Sequence, residues 1–334
     1  MTIGELCVVA RALRGGRRSA RKPGVRRRAV PADSRTLLSR LSLSAAMRIC
    51  QIVPSLAERH GGPSKSVRAL ANHLALAGDT VELLATAASG DAPLATAADA
   101  ATVRIFPRVR PEWVVRSPAL RTHLLAADFA CVHHHALWLR TLGYAAEAAR
   151  RRDRPLVISP RGMMSAWAWH HRRSRKQFAQ WFIHPGAFAS AAGWHATSPE
   201  EAADIRRLGF SQPVCVAPNG VEVPAAADLA AARATWHALC PAAVGRPVAL
   251  FYSRLHRKKR VRELIDLWLA APRGDWLLLI VGTAEEYTAA ELAAEVAARG
   301  APAQIAVFDG AGRPAPMPWP RFSCCRPTRK ISVS

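Results

Sequence analysis

From Met47 onward, apolar runs of strand length alternate with segments of helical period, and this alternation constrains the fold more than any other feature. RICQIVPSL is one such run and ends in a Pro/Ser turn. A Gly-Gly loop follows, then a helix on which Val67, Leu70, Ala71, Leu74 and Ala75 recur at 3–4 residue spacing before Gly78 stops it. DTVELLATA, VRIFP, DFACVHH and PLVISP predict further strands. GWHATSPEEAADIRRLGF predicts a short strand and a helix with Ser198 as N-cap and Glu201 at the capping-box position. VCVAPNGVEVP reads as strand then turn, with Asn219 and Gly220 in the turn. Strands joined by helices cannot pair as hairpins, so the expected class is α/β with parallel, doubly wound sheets.

The pattern then restarts. VALFYSRL, DWLLLIVG and AQIAVFDG are strands, with helices over VRELIDLWLAA and AAELAAEVAARG between them. The second sheet reads as incomplete after three strands, with an open apolar edge. The expected organisation is a basic extension or mis-assigned start over 1–46, a first Rossmann-like domain over 47–224 and a linker with a helix over 225–246. A partial second domain over 247–309 and an aberrant tail over 310–334 complete it.

The chain of 334 residues carries a net charge of +23, concentrated at its ends. Residues 1–46 contribute +9 and residues 310–334 contribute +5, leaving a moderately basic body. Such a body suits a polyanionic ligand or an anionic membrane surface. A basic nucleic-acid-binding protein is the alternative, but no reader motif accompanies the charge. Seven cysteines at irregular spacing, without a C-x-x-C pair, argue against a disulfide framework or structural zinc and for a reducing compartment. No apolar run reaches the roughly 20 residues of a membrane span, and no signal peptide is evident.

The quoted segments, with PLVISPRGMM and ALFYSRLHRKKRVRELI, resemble in their order the landmarks of family 4 glycosyltransferases of the GT-B fold. The resemblance covers about residues 47–309 and is closest to bacterial enzymes that build polysaccharide or lipopolysaccharide. It implies two Rossmann-like domains, the first for the acceptor and the second for most of a nucleoside diphosphate sugar. It implies sugar transfer with retention, on the cytoplasmic side, with no cofactor beyond the sugar nucleotide. A non-catalytic glycan-binding remnant is a further alternative.

Individual residues carry two readings each. Gly61 and Gly62 open the first helix and could admit a donor phosphate at its N-terminus, or simply make a tight turn. In RLHRKKR (254–260), the resemblance assigns donor-phosphate binding to Arg254 and Lys259; a solvated basic face is the plainer reading. Relatives place Gly after the Lys, where this chain has Arg260. His133 and His135 share one side of a strand and His134 the other, so three ligands from this run to one metal ion are not expected, and no metal site is assigned. The resemblance puts His133 and His135 at the acceptor cleft, hydrogen bonding sugar hydroxyls; a satisfied structural histidine is the other reading. Arg161 and Gly162 follow PLVISP, where many relatives carry His before the Gly; Arg161 cannot be a base at neutral pH but could hold a phosphate or carboxylate. WAWHHRRSRKQFAQWFIH (167–184) could lie on an anionic membrane and reach a lipid-linked acceptor. A helix docked on its own domain is the preferred, plainer reading.

The tail MPWPRFSCCRPTRKISVS (317–334) lacks the Ser-Glu-x-Phe-Gly turn and the Glu pair with which the family contacts the donor, so the catalytic residues are left unassigned. Read one nucleotide earlier, permitted codons spell YALAEVFVLPTHSENFGL, which supplies that turn. The expectation is a frameshift between about Gly310 and Met317, and impaired activity of the chain as written.

Overall fold

The computed structural model describes residues 46–57, 62–91, 98–220, 225–270, 274–301 and 303–311, with the backbone of 322–324. Gly61 lies outside the described residues. The chain divides into two compact units, at Val221 and Glu222.

In the first unit the order is β1 (Arg48–Ile52), α1 (Gly62–Leu76), β2 (Thr80–Ala87), β3 (Thr102–Pro107), α2 (Pro118–Ala126), β4 (Cys131–His135), α3 (Arg140–Arg151) and β5 (Leu156–Ser159). Then come α4 (Ala166–His170), α5 (Arg173–Phe178), a π-helical turn (Ala179–Ile183), α6 (Ala187–Ser190), β6 (Gly193–Ala196), α7 (Pro199–Arg207) and β7 (Val214–Val216). The strands form one sheet in the order β3-β2-β1-β4-β5-β6-β7. Every pairing is parallel. β4 and β5 are buried at every position, as strands covered on both faces must be. One face of the sheet packs Cys50, Ile52, Leu84, Val132, Ile158 and Trp194 against the helices that bring Leu124, Leu142 and Ile205. The other packs Ile49, Leu83 and Ala85 against Val67 and Ala71 of α1. Each such aliphatic side chain contributes about 1.5–3 kcal/mol when fully buried.

The second unit has α8 (Ala226–Leu239), β8 (Val248–Tyr252), α9 (Val261–Leu269), β9 (Leu277–Gly282), α10 (Ala289–Ala298), β10 (Ile305–Asp309) and β11 (Phe322–Cys324). Its sheet has the order β10-β9-β8-β11, all parallel. Two departures from the sequence reading stand out. The segment read as a linker is part of the core: Trp236, Cys240 and Ala243 pack on Val248, Leu250 and Leu279. The sheet also does not stop at three strands. Phe322, Ser323 and Cys324 of the tail pair with Val248, Ala249 and Leu250, so the backbone of β11 occupies the edge of β8 expected to be open.

Among the described residues no helix is long and apolar enough to cross a membrane.

Candidate functional site

In an open parallel α/β sheet the groups that meet a ligand stand at the carboxyl ends of the strands. In the first unit those ends carry histidines. The alternation of β4 separates its three imidazoles as the sequence implies. His134 faces the helices: its Nδ1 donates to the Ala136 carbonyl at 3.1 Å, and its Nε2 accepts from the Thr141 hydroxyl at 3.0 Å. Burial pushes its pKa down to about 3, so it is a neutral structural residue. His133 and His135 share the opposite side, with ring centroids 4.1 Å apart.

A third imidazole joins them. His195 on β6 lies with its ring centroid 5.2 Å from that of His133. Nothing in the run HHH points to it; a histidine sixty residues away is brought in by sheet order. All three rings are buried. Burial holds the imidazoles of His133 and His135 neutral, well below the usual histidine range, and takes His195 down to about 4. Hydrogen bonding fixes their orientations. His135 Nδ1 accepts from the Arg161 guanidinium at 3.1 Å and 3.3 Å, and its Nε2 donates to Gln51 Oε1 at 3.3 Å. His195 Nε2 donates to the Ala217 carbonyl at 2.9 Å. Both nitrogens of His133, Nδ1 of His195, Nε2 of Gln51 and Oγ of Ser159 are buried without a hydrogen-bond partner among the described residues. Such groups cost about 1–3 kcal/mol each, so this end of the sheet keeps polar capacity unused by the fold.

Arg161 joins this buried cluster to the surface. Its Nη1 donates to Oδ1 of Asn219, the residue of the P-N-G turn. Burial lowers the guanidinium pKa to about 10, Glu201 opposing the shift, so it is cationic at neutral pH. Arg161 and Gly162 both adopt left-handed backbone, at φ 53° and 78°. For Arg161 that conformation costs about 1–2 kcal/mol. Glu201 holds the turn: one carboxylate oxygen accepts from the Gly162 N–H, and the other accepts from the Thr197 N–H at 2.7 Å and the Thr197 hydroxyl at 2.8 Å. The expected capping box is thus half made. Ser198 Oγ caps the Glu201 N–H at 3.2 Å, but the Glu201 carboxylate reaches past Ser198 to tie the β5 turn to the start of α7.

The nitrogens of His133, His135 and His195 lie within 4.8 Å of one another, a spacing that invites a metal ion. The guanidinium beside His135 opposes a second cation, and His135 and His195 already spend nitrogens on protein partners. The donor set fits an anionic or hydroxyl-bearing group better than a metal.

In the second unit the end of β8 carries RLHRKKR. Gly282 ends the neighbouring β9, and a Cβ there would lie 2.2 Å from the Ser253 carbonyl oxygen; only glycine lets the two loops approach. Leu255 N–H donates to the Thr283 carbonyl, and the Leu255 carbonyl accepts from the N–H groups of Glu286 and Tyr287. Glu286 pairs with Arg257 and His256, and Arg254 Nη1 with Glu285 at 2.8 Å. Arg254 remains half-exposed in that pair. Lys259 ends a 3-10 turn (Arg257–Lys259), half-buried, with no ion pair among the described residues. Arg260 follows at φ 55°, so the position that relatives fill with glycine does require left-handed backbone.

Gly62 is exposed at the first turn of α1, with open space where a Cβ would stand. The packing does not demand glycine there.

Residues 61–220 match the family profile described as a glycosyl transferase 4-like domain. This span holds every residue of the histidine–arginine cluster except Gln51. That match lies within the first unit. Solved structures agree on the fold. Anabaena Alr3699/HepE in complex with UDP and glucose is 18% identical with a TM-score of 0.59, covering 81% of this chain and 71% of that one. Sucrose-phosphate synthase from Thermosynechococcus elongatus is 18% identical at 0.54, over 78% and 69%. The lipopolysaccharide outer core galactosyltransferase WaaB is 15% identical at 0.52, over 80% and 69%. No curated protein matches the sequence. The chain therefore has an α/β fold of GT-B type.

Within the first unit the structure brings together His133, His135, Arg161 and Gly162, and adds Gln51, His195 and Glu201. Only Glu201 had a signal in the sequence, and it read as a helix cap. Arg254 and Lys259 sit together on one loop of the second unit.

Proposed function

We propose that the protein transfers a sugar from a nucleoside diphosphate sugar to a hydroxyl of a glycan or lipid-linked acceptor, with retention. The observation that carries this reading is the cationic loop at the end of β8 where, among the described residues, Lys259 has no ion-pair partner and Arg254 pairs only with the exposed carboxylate of Glu285. When the anomeric C–O bond breaks, charge accumulates on the departing diphosphate; an ammonium and a guanidinium there stabilise it. Arg254 would exchange Glu285 for phosphate. Relatives of the same fold support the donor class: the HepE structure holds UDP and glucose, and WaaB is a galactosyltransferase of lipopolysaccharide. On the acceptor side, Arg161 offers a charge next to neutral imidazoles, suited to orient a phosphate, carboxylate or hydroxyl. It moves no proton. Gly62, at the open N-terminus of α1, suits close approach of a donor phosphate. The reading places the reaction on the cytoplasmic side, with the sugar nucleotide as substrate and no further cofactor.

The same reading holds that the chain as written is impaired, because the donor-contacting Ser-Glu-x-Phe-Gly turn is recovered only in the shifted frame of residues 317–334. Sequencing the DNA after codon 316 tests this: the shifted frame should continue into a helix with a second Glu eight residues on, and a stop there instead would refute it.

The function is tested by titrating UDP-, GDP- and ADP-sugars calorimetrically against the chain and its Lys259→Ala variant. One of them should bind, and the variant should weaken it by about tenfold or more. Binding unchanged by Lys259→Ala would overturn the assignment of the loop.

A further inference from the structure

The segment Arg173–Ile183 is one continuous helix, α5 followed by the π-helical turn, and its most apolar face is turned outward. Ala179 is buried and Lys176, Gln180 and Ile183 are half-buried. Phe178, Trp181 and Phe182 are 48%, 72% and 61% exposed. The three follow one another at helical i, i+3, i+4 spacing, and the rings of Phe178 and Phe182 pack 4.9 Å apart, so they form one ridge. These rings stand exposed on a helix that is nonetheless seated on its own unit.

The helix is seated by its backbone and by cations instead. Lys176 donates to the carbonyls of Ala168 and His171 at the end of α4. Arg140 donates to the carbonyls of Phe182 and Ile183 at 3.1 Å and 2.9 Å. Gly143 on α3 admits the chain closely; a Cβ there would meet the Ile183 carbonyl oxygen at 2.8 Å. A helix held this way leaves its aromatic face for another partner.

The charge beside the ridge specifies that partner. No Asp or Glu occurs from Arg154 to Pro199. Arg172, Arg173 and Arg175 are exposed, and none has an ion pair among the described residues. Several exposed arginines elsewhere in this unit are paired, as Arg104 with Glu82 and Arg121 with Glu147. An aromatic ridge flanked by unpaired guanidinium groups matches a surface that is anionic outside and apolar just beneath. We propose that this helix docks the protein on an anionic phospholipid bilayer, with Phe178, Trp181 and Phe182 entering the headgroup–acyl boundary and Arg172, Arg173 and Arg175 meeting lipid phosphates. The surface deepens the lipid-linked acceptor reading but stands on exposure and charge, so its test needs no turnover.

The test is co-sedimentation of the full chain with phosphatidylcholine vesicles, with and without phosphatidylglycerol. A chain of net charge +23 adheres to any anionic vesicle at low salt, so the deciding variant is charge-neutral: Phe178→Ser, Trp181→Ser and Phe182→Ser together. The wild-type chain should stay on phosphatidylglycerol vesicles at raised salt, and the variant should lose about tenfold or more in affinity there. Equal binding of variant and wild type overturns the proposal. So does a wild-type oligomer that the variant turns into a monomer without vesicle binding, or single-stranded DNA binding lost in the variant while vesicle binding persists. Should the variant fail to fold, quenching of the wild-type chain by bromine-labelled lipid reads insertion directly; quenching that Trp181→Phe does not reduce counts against it.

Discussion

The ends of β4 to β6 in the first unit and of β8 in the second occupy equivalent places in two parallel sheets, yet they solve opposite problems. The first gathers three buried, neutral imidazoles around one partly desolvated guanidinium and leaves polar atoms unmatched. The second spreads three arginines and two lysines over an exposed loop and pairs all three arginines with carboxylates. Desolvation makes the first site rigid in its hydrogen bonding and strong in its local field. Solvent makes the second exchangeable, because exposed ion pairs are worth only about 0–1 kcal/mol and yield readily to a better anion. One end is built to orient, the other to bind and release charge.

The comparison breaks most severely where each end is supported. Glu201→Ala removes the acceptor of three donors and should cost about 4 kcal/mol, read as a fall in the denaturant midpoint of the first unit. Glu201→Ala at wild-type stability would show that the Arg161–Gly162 turn needs no carboxylate. In the second unit the matching support is a close backbone approach, and Gly282→Ala should cost about 3 kcal/mol by forcing the Ser253 loop away. If that variant still bound nucleotide sugar like wild type, the loop would not be positioned by β9.

Acid should separate the two ends. His195 and His184 have pKa values lowered to about 4 and His134 to about 3, against 6.5 for the free side chain. Between these values the unfolded chain binds protons that the folded one does not, so stability must fall as pH drops from about 6.5 toward 4. The slope is up to about 1.4 kcal/mol per pH unit for each such histidine, and above pH 7 this contribution is constant. Denaturation curves at pH 7, 5.5 and 4.5 measure it; a flat profile would mean that the imidazoles are solvated. The smallest effect belongs to Arg260→Gly. It relieves left-handed backbone at φ 55° at the loss of an exposed pair with Glu263, and should raise the melting temperature by the equivalent of about 1 kcal/mol. A lowered melting temperature would show that the Arg260 side chain matters more than its backbone.

Much of the fold was legible because parallel strands buried on both faces appear as continuous apolar runs such as LLLIVG, and the helices between them end in glycine. α2 and α3 went unread because PALRTHLLA and RTLGYAAEAARR carry no strong stop signals. At the site, alternation correctly put His133 and His135 on one side. It could not show that both are buried, nor bring in His195, because burial depends on what covers the sheet and partners depend on strand order. The basic-aromatic stretch was visible as composition. Which of its faces points outward was decided by tertiary contacts, chiefly Lys176, Arg140 and the missing Cβ of Gly143.

The three residues of β11 join the second sheet by backbone pairing with β8. Main-chain hydrogen bonding has no knowledge of codons: a slip of one nucleotide exchanges every side chain and leaves the spacing of peptide groups untouched. Phe-Ser-Cys can therefore hold a place that the earlier frame would give to Val-Phe-Val. An error of translation or sequencing would thus be felt first in chemistry and only later in architecture.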